Sequence, residues 1–372
     1  MLIQSIKWYA FLLCISMALI GSGCTTNFGA NGVAPAGFTY NQAIAQTTTE
    51  QLLLNLVKLR YRDTPVFLEV DSVTTQRQYA GSASLLSAFP FSGIVGGASS
   101  LSSGASFAEN PTVRYSPLHG EKFAANLLAP IPPETIVLLS TSGWSLERLL
   151  LCCVERIGVL SNAPSASGPT PAAFPDNSAF RQAAQIFRNL QSEEKLHVEL
   201  VERKLSSVDG KAQIDTFLVI DDPDDAACTH LRSLLGVPAG GNRFRLVGRD
   251  TTQGDDDLLL LGRSVLGSLY ALSHTVDAPE KHESSGLVTV STPSGRSVTD
   301  WDDFHNGLFD VRVSKGEPRD AFVKVPYRGH WFWIADNDLD SKTSLNLLIF
   351  LLALQSADSE GSGPLLTLSA SG

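Results

Sequence analysis

Apolar residues recur at helical intervals early in the chain and then change to strand-like alternation. Thr47 and Glu50 have capping-box spacing, and the leucines that follow predict a helix over 48–62, which Pro65 ends. Residues 66–71 alternate between apolar and polar and predict a strand. Further helices are expected over 119–129, 133–141 and 145–158. The first half of the chain therefore mixes helices with strands.

The second half shows the same mixture. Two alternating runs, 196–205 and 213–220, flank the dipeptide Asp209-Gly210, which is typical of a hairpin turn. Helices are predicted over 177–190, 222–235, 258–274 and 340–355, and strands over 243–249, 287–291, 308–314, 320–325 and 330–335. We expect an α+β fold with mixed or antiparallel sheets and packed helices.

The segment 80–108 has an unusual composition. It is built from Gly, Ser and Ala with scattered Leu, Phe and Ile, and no charge occurs before Glu109. A structureless loop of this length is uncommon inside a compact domain. Two interpretations stay open: a flexible surface excursion, or a hairpin with polar and apolar faces that becomes ordered against a neighbouring subunit or in lipid.

Shifts in composition suggest how the body is divided. Residues 163–175 consist of Pro, Ser, Ala, Gly, Thr and Phe without any charge, which predicts a linker. It would separate an N-terminal α+β domain, 47–162, from a C-terminal α+β domain, 176–372. Residues 24–46 are rich in Gly, Ala, Thr and Asn, and we interpret them as a flexible tether.

The first residues, 1–23, have the form of a secretory signal. Lys7 precedes an apolar stretch that is too short to span a bilayer, and three small residues lie before Cys24. This ending resembles the lipobox of bacterial lipoproteins, in which the cysteine thiol is acylated and becomes the first residue after cleavage. The resemblance implies that Cys24 anchors the chain to membrane lipid. Thr25, in place of Asp, favours the periplasmic face of the outer membrane over the inner membrane.

Charge limits the possible partners. The formal net charge is −10, and no stripe of Lys and Arg with interleaved aromatic residues is present. Such a surface repels polyanions, so we expect no nucleic-acid partner. Cys152, Cys153 and Cys228 are expected to be buried as small apolar residues, although an oxidising periplasm would permit Cys228 to pair with one of the other two.

Tests for catalytic and metal-binding patterns give no site. Asp336, Asp338 and Asp340 resemble the start of a calcium loop, but Ser341 and Leu347 replace the glycine and the glutamate that such a loop needs. Helix capping is the favoured interpretation. The histidines are scattered, and no nucleophile motif, phosphate loop or Cys/His cluster occurs. We expect no catalytic, cofactor-binding or metal-binding residue, and a protein that is not an enzyme.

One strand concentrates aromatic residues. Alternation over 330–335 places Trp331 and Trp333 on one face, and His330 and Phe332 on the other. The two tryptophans either pack under the last helix or form a platform for contact with a partner. The sequence leaves both alternatives open.

Three stretches carry a wider resemblance. Residues 54–62 and 111–123, together with Gly143-Trp144, are similar to an uncharacterised family of proteobacterial envelope lipoproteins. The resemblance implies an envelope location and no particular activity. Our first hypothesis is a non-enzymatic scaffold or assembly subunit, with an envelope protein partner or self-association. The alternative is a ring-forming lipoprotein that contributes the hairpin 80–108 to an outer-membrane pore or secretion assembly. A hydrolase of cell-wall or sugar substrates lacks a nucleophile–base pair.

Overall fold

The computed structural model describes most of the chain. The described residues are 30–86, 100–117, 120–204, 212–222, 224–237, 242–248, 254, 257–293, 300–356 and 366–369. The chain divides into two compact units, residues 1–47 and residues 48–372. We call the second unit the body.

Helix α1, Ala30–Arg60, begins well before the predicted start at residue 48. Helix growth from a formed turn is favourable, and Ala43, Ala45 and Gln46 have good helix propensity, so the helix continues into the expected tether. Its last turns provide a buried face of the body, with Leu53, Leu56, Val57 and Leu59 at most 1% exposed. This burial fixes the end of α1 as part of the core.

A long hairpin follows α1. Strands β1, Leu68–Leu86, and β2, Ser100–Pro117, pair antiparallel from end to end, so the hairpin includes residues 68–71 of the predicted strand 66–71 and the flanks of 80–108. Strand β12, Leu366–Ser369, pairs with the lower part of β2 and completes a three-stranded sheet in the order β1-β2-β12. The hairpin interpretation of the Gly/Ser-rich segment is therefore the one that the backbone adopts on both flanks.

The main sheet of the body has six strands. In chain order they are β3 Val154–Ile157, β4 Leu160–Ser161, β5 Leu196–Lys204, β6 Ala212–Ile220, β7 Arg243–Val247 and β8 Asp257–Gly262. They lie in the order β4-β3-β8-β7-β6-β5, and only β7 and β8 run parallel. The associated helices are α2 Glu121–Leu128, α3 Pro133–Thr141, α4 Leu146–Cys153, α5 Ser178–Ser192, α6 Ala226–Leu235 and α7 Val265–Ser273. The mixed sheet and packed helices confirm the α+β fold class.

A third sheet lies near the C-terminal end. Two short helices, α8 Glu280–Ser284 and α9 Trp301–His305, precede strands β9 Arg312–Ser314, β10 Ala321–Tyr327 and β11 His330–Ala335, and helix α10 Leu339–Ser356 follows. The antiparallel order is β10-β11-β9. The strand predicted over 287–291 is wrong, because that stretch is irregular and only Thr292 bridges to Ala173.

Two helix predictions were too long. The helix predicted over 145–158 ends at Cys153, because residues 154–157 join the sheet as β3. The helix predicted over 258–274 begins only after Ser264, whose hydroxyl caps α7, because residues 257–262 form β8. In β8 the leucines alternate between buried and half-buried positions, and a leucine-rich run this short is equally compatible with a strand and a helix.

The main hydrophobic core contains side chains from both sides of the expected linker, among them Leu149 and Leu348, and a second, smaller cluster joins the linker to α9. Within 163–175 lies a 3₁₀ turn, Pro164–Ser167, in which Ala166 is fully buried. Just before it, the side chain of Asn162 donates hydrogen bonds to the carbonyl oxygens of Leu151 and Val154, both at 2.9 Å. These bonds satisfy the open end of α4, so this stretch is built into the body.

Candidate functional site

The most distinctive feature of the molecule is the length of the β1–β2 hairpin. The strands have 19 and 18 residues, and strands in globular proteins usually have 3–10. At about 3.3 Å per residue the ribbon extends roughly 60 Å. The register is continuous from Ser72 opposite Arg114 to Leu86 opposite Ser100, with one irregularity between Val70 and Ser72.

The register sorts the upper part of the ribbon into two faces, because directly opposed positions share a face. We call the paired residues 78–86 and 100–108 the tip segment. One face, the apolar face, contains Tyr79, Gly81, Ala83, Leu85, Leu101, Ser103, Ala105 and Phe107. The opposite face, the polar face, contains Gln78, Ala80, Ser82, Ser84, Leu86, Ser100, Ser102, Gly104, Ser106 and Ala108.

Aromatic and charged positions mark the lower limit of the tip segment. Tyr79 is paired with Phe107, and one step below them on the same face Arg77 is paired with Glu109. The tip segment itself has no charged residue. A charge-free ribbon that ends at an aromatic pair and then at charges has the pattern of a strand pair that crosses an apolar layer.

The outer edges of the hairpin differ in pairing. Among the described residues, the outer edge of β1 pairs with no strand, and β2 pairs outwardly only at Thr112–Tyr115 through β12. An edge of this length offers a row of unpaired backbone groups to another chain. In the part of the chain that the structure describes, the tip segment therefore has no strand partner on either outer edge.

The base of the hairpin is tied to the body by the end of α1. The side chain of Asn55 forms two hydrogen bonds with the backbone of Val66, at 2.8 and 2.9 Å, and so folds the connection back onto the helix. Arg62 donates to the Thr289 hydroxyl at 2.7 Å. These contacts set where β1 leaves the body.

A second set of contacts joins the base to the third sheet. The Asp63 carboxylate accepts hydrogen bonds from the Tyr327 hydroxyl and from Arg328, the latter at 2.7 Å, and both lower the pKa of Asp63. Tyr61 is hydrogen-bonded to His282 Nδ1 at 2.7 Å, and burial raises the pKa of Tyr61 to about 12. We call this group of five residues the root cluster. Sequence reasoning missed it, because its members come from three separate segments.

Beside the base of the hairpin lies a cleft of about 270 Å³. Its carboxylates come from Asp277, Glu283, Asp300 and Asp302, and its wall includes Trp301. Arg60, from the last turn of α1, also lines it. We call it the acidic cleft, and nothing in the sequence pattern connected these segments.

Negative charge is in excess in the acidic cleft. Burial and the neighbouring Asp310, Asp300, Asp277 and Asp303 raise the pKa of Asp302 to about 6. Burial, followed by Asp310, also raises the pKa of Asp277. Carboxylates that are crowded in this way favour a cation in their midst.

Below the cleft, polar side chains form a buried chain. Arg60 donates to the Thr170 hydroxyl at 3.3 Å, Thr170 is 3.2 Å from His274 Nδ1, and His274 Nε2 lies 2.9 Å from the Ala166 carbonyl oxygen. The carbonyl fixes the proton of His274 on Nε2, so Nδ1 accepts from Thr170. Burial lowers the pKa of His274 to about 3, so this histidine is neutral and structural.

The structure places the two predicted contact tryptophans on one face of β11. Trp331 and Trp333 are half-buried, whereas Phe332 and Ile334 of the other face are fully buried in the core. Among the described residues Trp333 Nε1 is buried without a hydrogen-bond partner, and Arg312 lies 5.5 Å from the Trp333 ring centre. The alternation is confirmed, and the partner contact stays a prediction.

The remaining candidates from the sequence are the cysteines and the acidic run before α10. Cys24, the predicted lipidation site, lies outside the described residues. Cys152, Cys153 and Cys228 are free and buried, and burial raises the pKa of each thiol. The capping interpretation of the acidic run is confirmed at Asp338, which accepts from the Ser341 backbone N–H at 3.0 Å at the start of α10.

No known protein family, curated protein or solved structure matches the chain. Among the described residues, no helix is both long and apolar enough to cross a bilayer.

Proposed function

We propose that this protein is a lipid-anchored subunit of the bacterial outer membrane whose β1–β2 hairpin joins hairpins of other copies in a ring, to line a pore or secretion assembly. The observation that carries the proposal is the register of the hairpin, which places the two aromatic residues of the tip segment on one face and five of its six serines on the other. An alternating ribbon of this kind suits a pore, in which lipid lies on one side and water on the other.

The length of the tip segment agrees with this role. A strand that crosses a bilayer needs about 9–11 residues, and residues 78–86 supply nine in β1 before the turn region. The aromatic pair Tyr79 and Phe107 would then lie at the membrane boundary, where aromatic rings are favoured. The charged pair Arg77 and Glu109 would lie in water below it.

The open edges supply the reason for a ring. Inside lipid each backbone N–H and C=O group needs a hydrogen-bond partner, so a lone hairpin is excluded from the membrane core. Strand β1 has an unpaired outer edge, and so does β2 above Thr112 in the described part of the sheet. Copies of the same hairpin satisfy both edges when β1 of one subunit pairs with β2 of the next.

The ring proposal is tested by two matched substitutions in one strand. Ala83→Arg places a charge on the apolar face and Ser82→Arg places the same charge on the polar face. A buried lipid-facing arginine costs about 2–4 kcal/mol, whereas a pore-facing one is tolerated. We expect Ala83→Arg to lose both the ring-sized mass in detergent and the protease protection of the tip segment, and Ser82→Arg to keep both. Equal behaviour of the two variants would contradict the proposal.

The anchor is tested separately with Cys24→Ala. We expect the native chain to begin at an acylated Cys24, and the variant to be released or mislocalised on membrane fractionation. Intact mass spectrometry of both forms provides the measurement. A native form without acyl mass would remove the anchor from the proposal and leave the hairpin test unaffected.

A non-enzymatic scaffold is the second candidate, and the tryptophan face of β11 favours it. The rings of Trp331 and Trp333 are only half-buried, so this face keeps aromatic surface that another protein could cover. A photo-crosslinker at position 331 distinguishes the two functions in native membranes. One discrete adduct with a different protein supports the scaffold, and a ladder of multiples of this chain supports the ring.

A further inference from the structure

A second site lies in the acidic cleft, apart from the hairpin. The cleft of about 270 Å³ is slightly smaller than typical pockets for drug-sized molecules. It combines a guanidinium group, carboxylates and the aromatic wall formed by Trp301, all within one concave surface. This combination suits a small ligand that carries both charges.

Arg60 supplies the positive group of the cleft. Its side chain is only 6% exposed, and it donates to the Val276 carbonyl oxygen at 3.1 Å, the Thr289 carbonyl oxygen at 2.9 Å and the Thr170 hydroxyl. All of these acceptors are neutral, and among the described residues no carboxylate forms an ion pair with Arg60. The carboxylates of Glu283 and Asp277 act on the guanidinium only at longer range, and burial still lowers the pKa of Arg60. A carboxylate bound directly to the guanidinium would offset this burial and fits its planar donor geometry.

The carboxylates of the cleft favour a positively charged group on the ligand. Asp302 and Glu283 have no hydrogen-bond or ion-pair partner for their carboxylates among the described residues, and Arg60 is the only cationic side chain of those residues that lines the cleft. An ammonium group would donate to them and relieve the repulsion around Asp302. Because there are four carboxylates and one guanidinium, the ligand should carry more positive than negative charge.

Apolar side chains also line the cleft. Trp301 is 7% exposed and packs against His274, with ring centres 4.4 Å apart, so its position is fixed. Val276 and Val290 also line the cleft. An aliphatic chain between charged groups would lie against this wall.

We propose that the acidic cleft binds a basic amino acid, with the α-carboxylate on Arg60 and the ammonium groups on the cleft carboxylates. L-lysine is the simplest such ligand. The inference does not depend on the hairpin function.

Isothermal titration of the full-length protein with L-lysine tests the proposal. We expect one saturable site, weakened about tenfold by Asp302→Asn, because a charge-assisted hydrogen bond is lost. Asp224→Asn removes an exposed carboxylate outside the cleft and should bind lysine as the native chain does. Asp302 is only partly buried and caps no helix, so its variant should fold, and the midpoint of thermal unfolding checks this.

Two further probes test each half of the ligand. Cadaverine lacks the carboxylate and 6-aminohexanoate lacks one ammonium group, so each should bind about tenfold more weakly than lysine. Absence of saturable lysine binding, an Asp302→Asn affinity equal to the native one, or equal affinity for cadaverine would overturn the proposal. The hairpin variant Ala83→Arg should bind lysine normally, so failure of the ring proposal is distinguishable from failure of this one.

Discussion

Two of the antiparallel hairpins in the molecule obtain their stability in different ways. Hairpin β10–β11 has six or seven residues in each strand, and Val323, Val325, Phe332 and Ile334 are at most 5% exposed. Hairpin β1–β2 is far longer, but its tip segment consists largely of Gly, Ser and Ala. A two-stranded ribbon without a packed face is marginal in water. The first hairpin is therefore stabilised by its own chain, and under the ring proposal neighbouring subunits and lipid would stabilise the second.

The amino-acid composition of the strands reflects this difference between the two hairpins. Bulky β-branched and aromatic side chains at alternate positions belong to strands that a core covers. Small residues with a few isolated leucines and aromatics belong to strands that meet neighbouring backbones or lipid. Length alone does not distinguish the two classes.

The largest expected effect is the loss of stability from a substitution in the core. Phe332→Ala leaves a cavity in the core and should lower the free energy of unfolding by about 3–5 kcal/mol. Phe107→Ala, in the tip segment, should leave the unfolding of the body unchanged. Urea denaturation followed by tryptophan fluorescence measures both. Equal losses in the two variants would mean that the hairpin shares the core's stability.

Acidification should destabilise the body and leave the hairpin unaffected. Burial lowers the pKa of His274 to about 3 and that of His305 to about 4, whereas the described strands of the hairpin contain no histidine. The unfolded chain takes up protons below about pH 6.5 and the folded histidines do not. The free energy of unfolding should therefore fall as pH drops from 6.5 to about 4, by at most roughly 2.7 kcal/mol per pH unit for two protons.

Asp302 opposes this trend and provides a control. Its raised pKa, about 6, means that the folded state holds this proton more tightly than the unfolded state does. Its contribution to stability is present below the unfolded pKa and is lost as pH rises through about 6. Asp302→Asn should thus steepen the loss of stability on acidification. A urea midpoint that rises between pH 6.5 and 4.5 in this variant would contradict the histidine explanation.

The smallest expected effect concerns the base of the hairpin. Tyr327→Phe removes the hydroxyl that donates to Asp63 and should destabilise the root cluster by about 1 kcal/mol. Hydrogen exchange should then accelerate at the first amides of β1 more than in the six-stranded sheet. Tyr270→Phe is the matched control, because the Tyr270 hydroxyl has no partner among the described residues. Equal acceleration of hydrogen exchange in both variants would mean that the root cluster does not stabilise the base of the hairpin.

Much of the fold could be predicted from local pattern. Apolar spacing and Pro65 predicted the helix end to within two residues of Arg60, and apolar spacing predicted the final helix. The two alternating runs predicted the paired strands β5 and β6, whereas the predicted turn at Asp209-Gly210 lies outside the described residues. Errors arose where a leucine-rich run suits either structure, as in residues 257–262. There the choice is made by pairing with β3 and β7, which are distant in sequence.

The two candidate sites differ in how much of each could be predicted from the sequence. The tip segment was recognisable because its composition is local, although its register required the structure. The acidic cleft was not, because Arg60, Asp277 and Asp302 are brought together only by the packing of α1 against the loops around α8 and α9. Single carboxylates in separate loops carry no pattern that distinguishes them from a solvated surface.

The position of β12 sets an order in time. Strand β2 ends at Pro117 and β12 begins at Leu366, so about 250 residues are synthesised between the two partners of one ladder. Pairing over such a sequence distance is slow, because the loop-closure entropy is lost before the contacts form. The lower edge of β2 therefore stays exposed until the C-terminal strand arrives, and a chaperone that binds this edge is most valuable before β12 pairs.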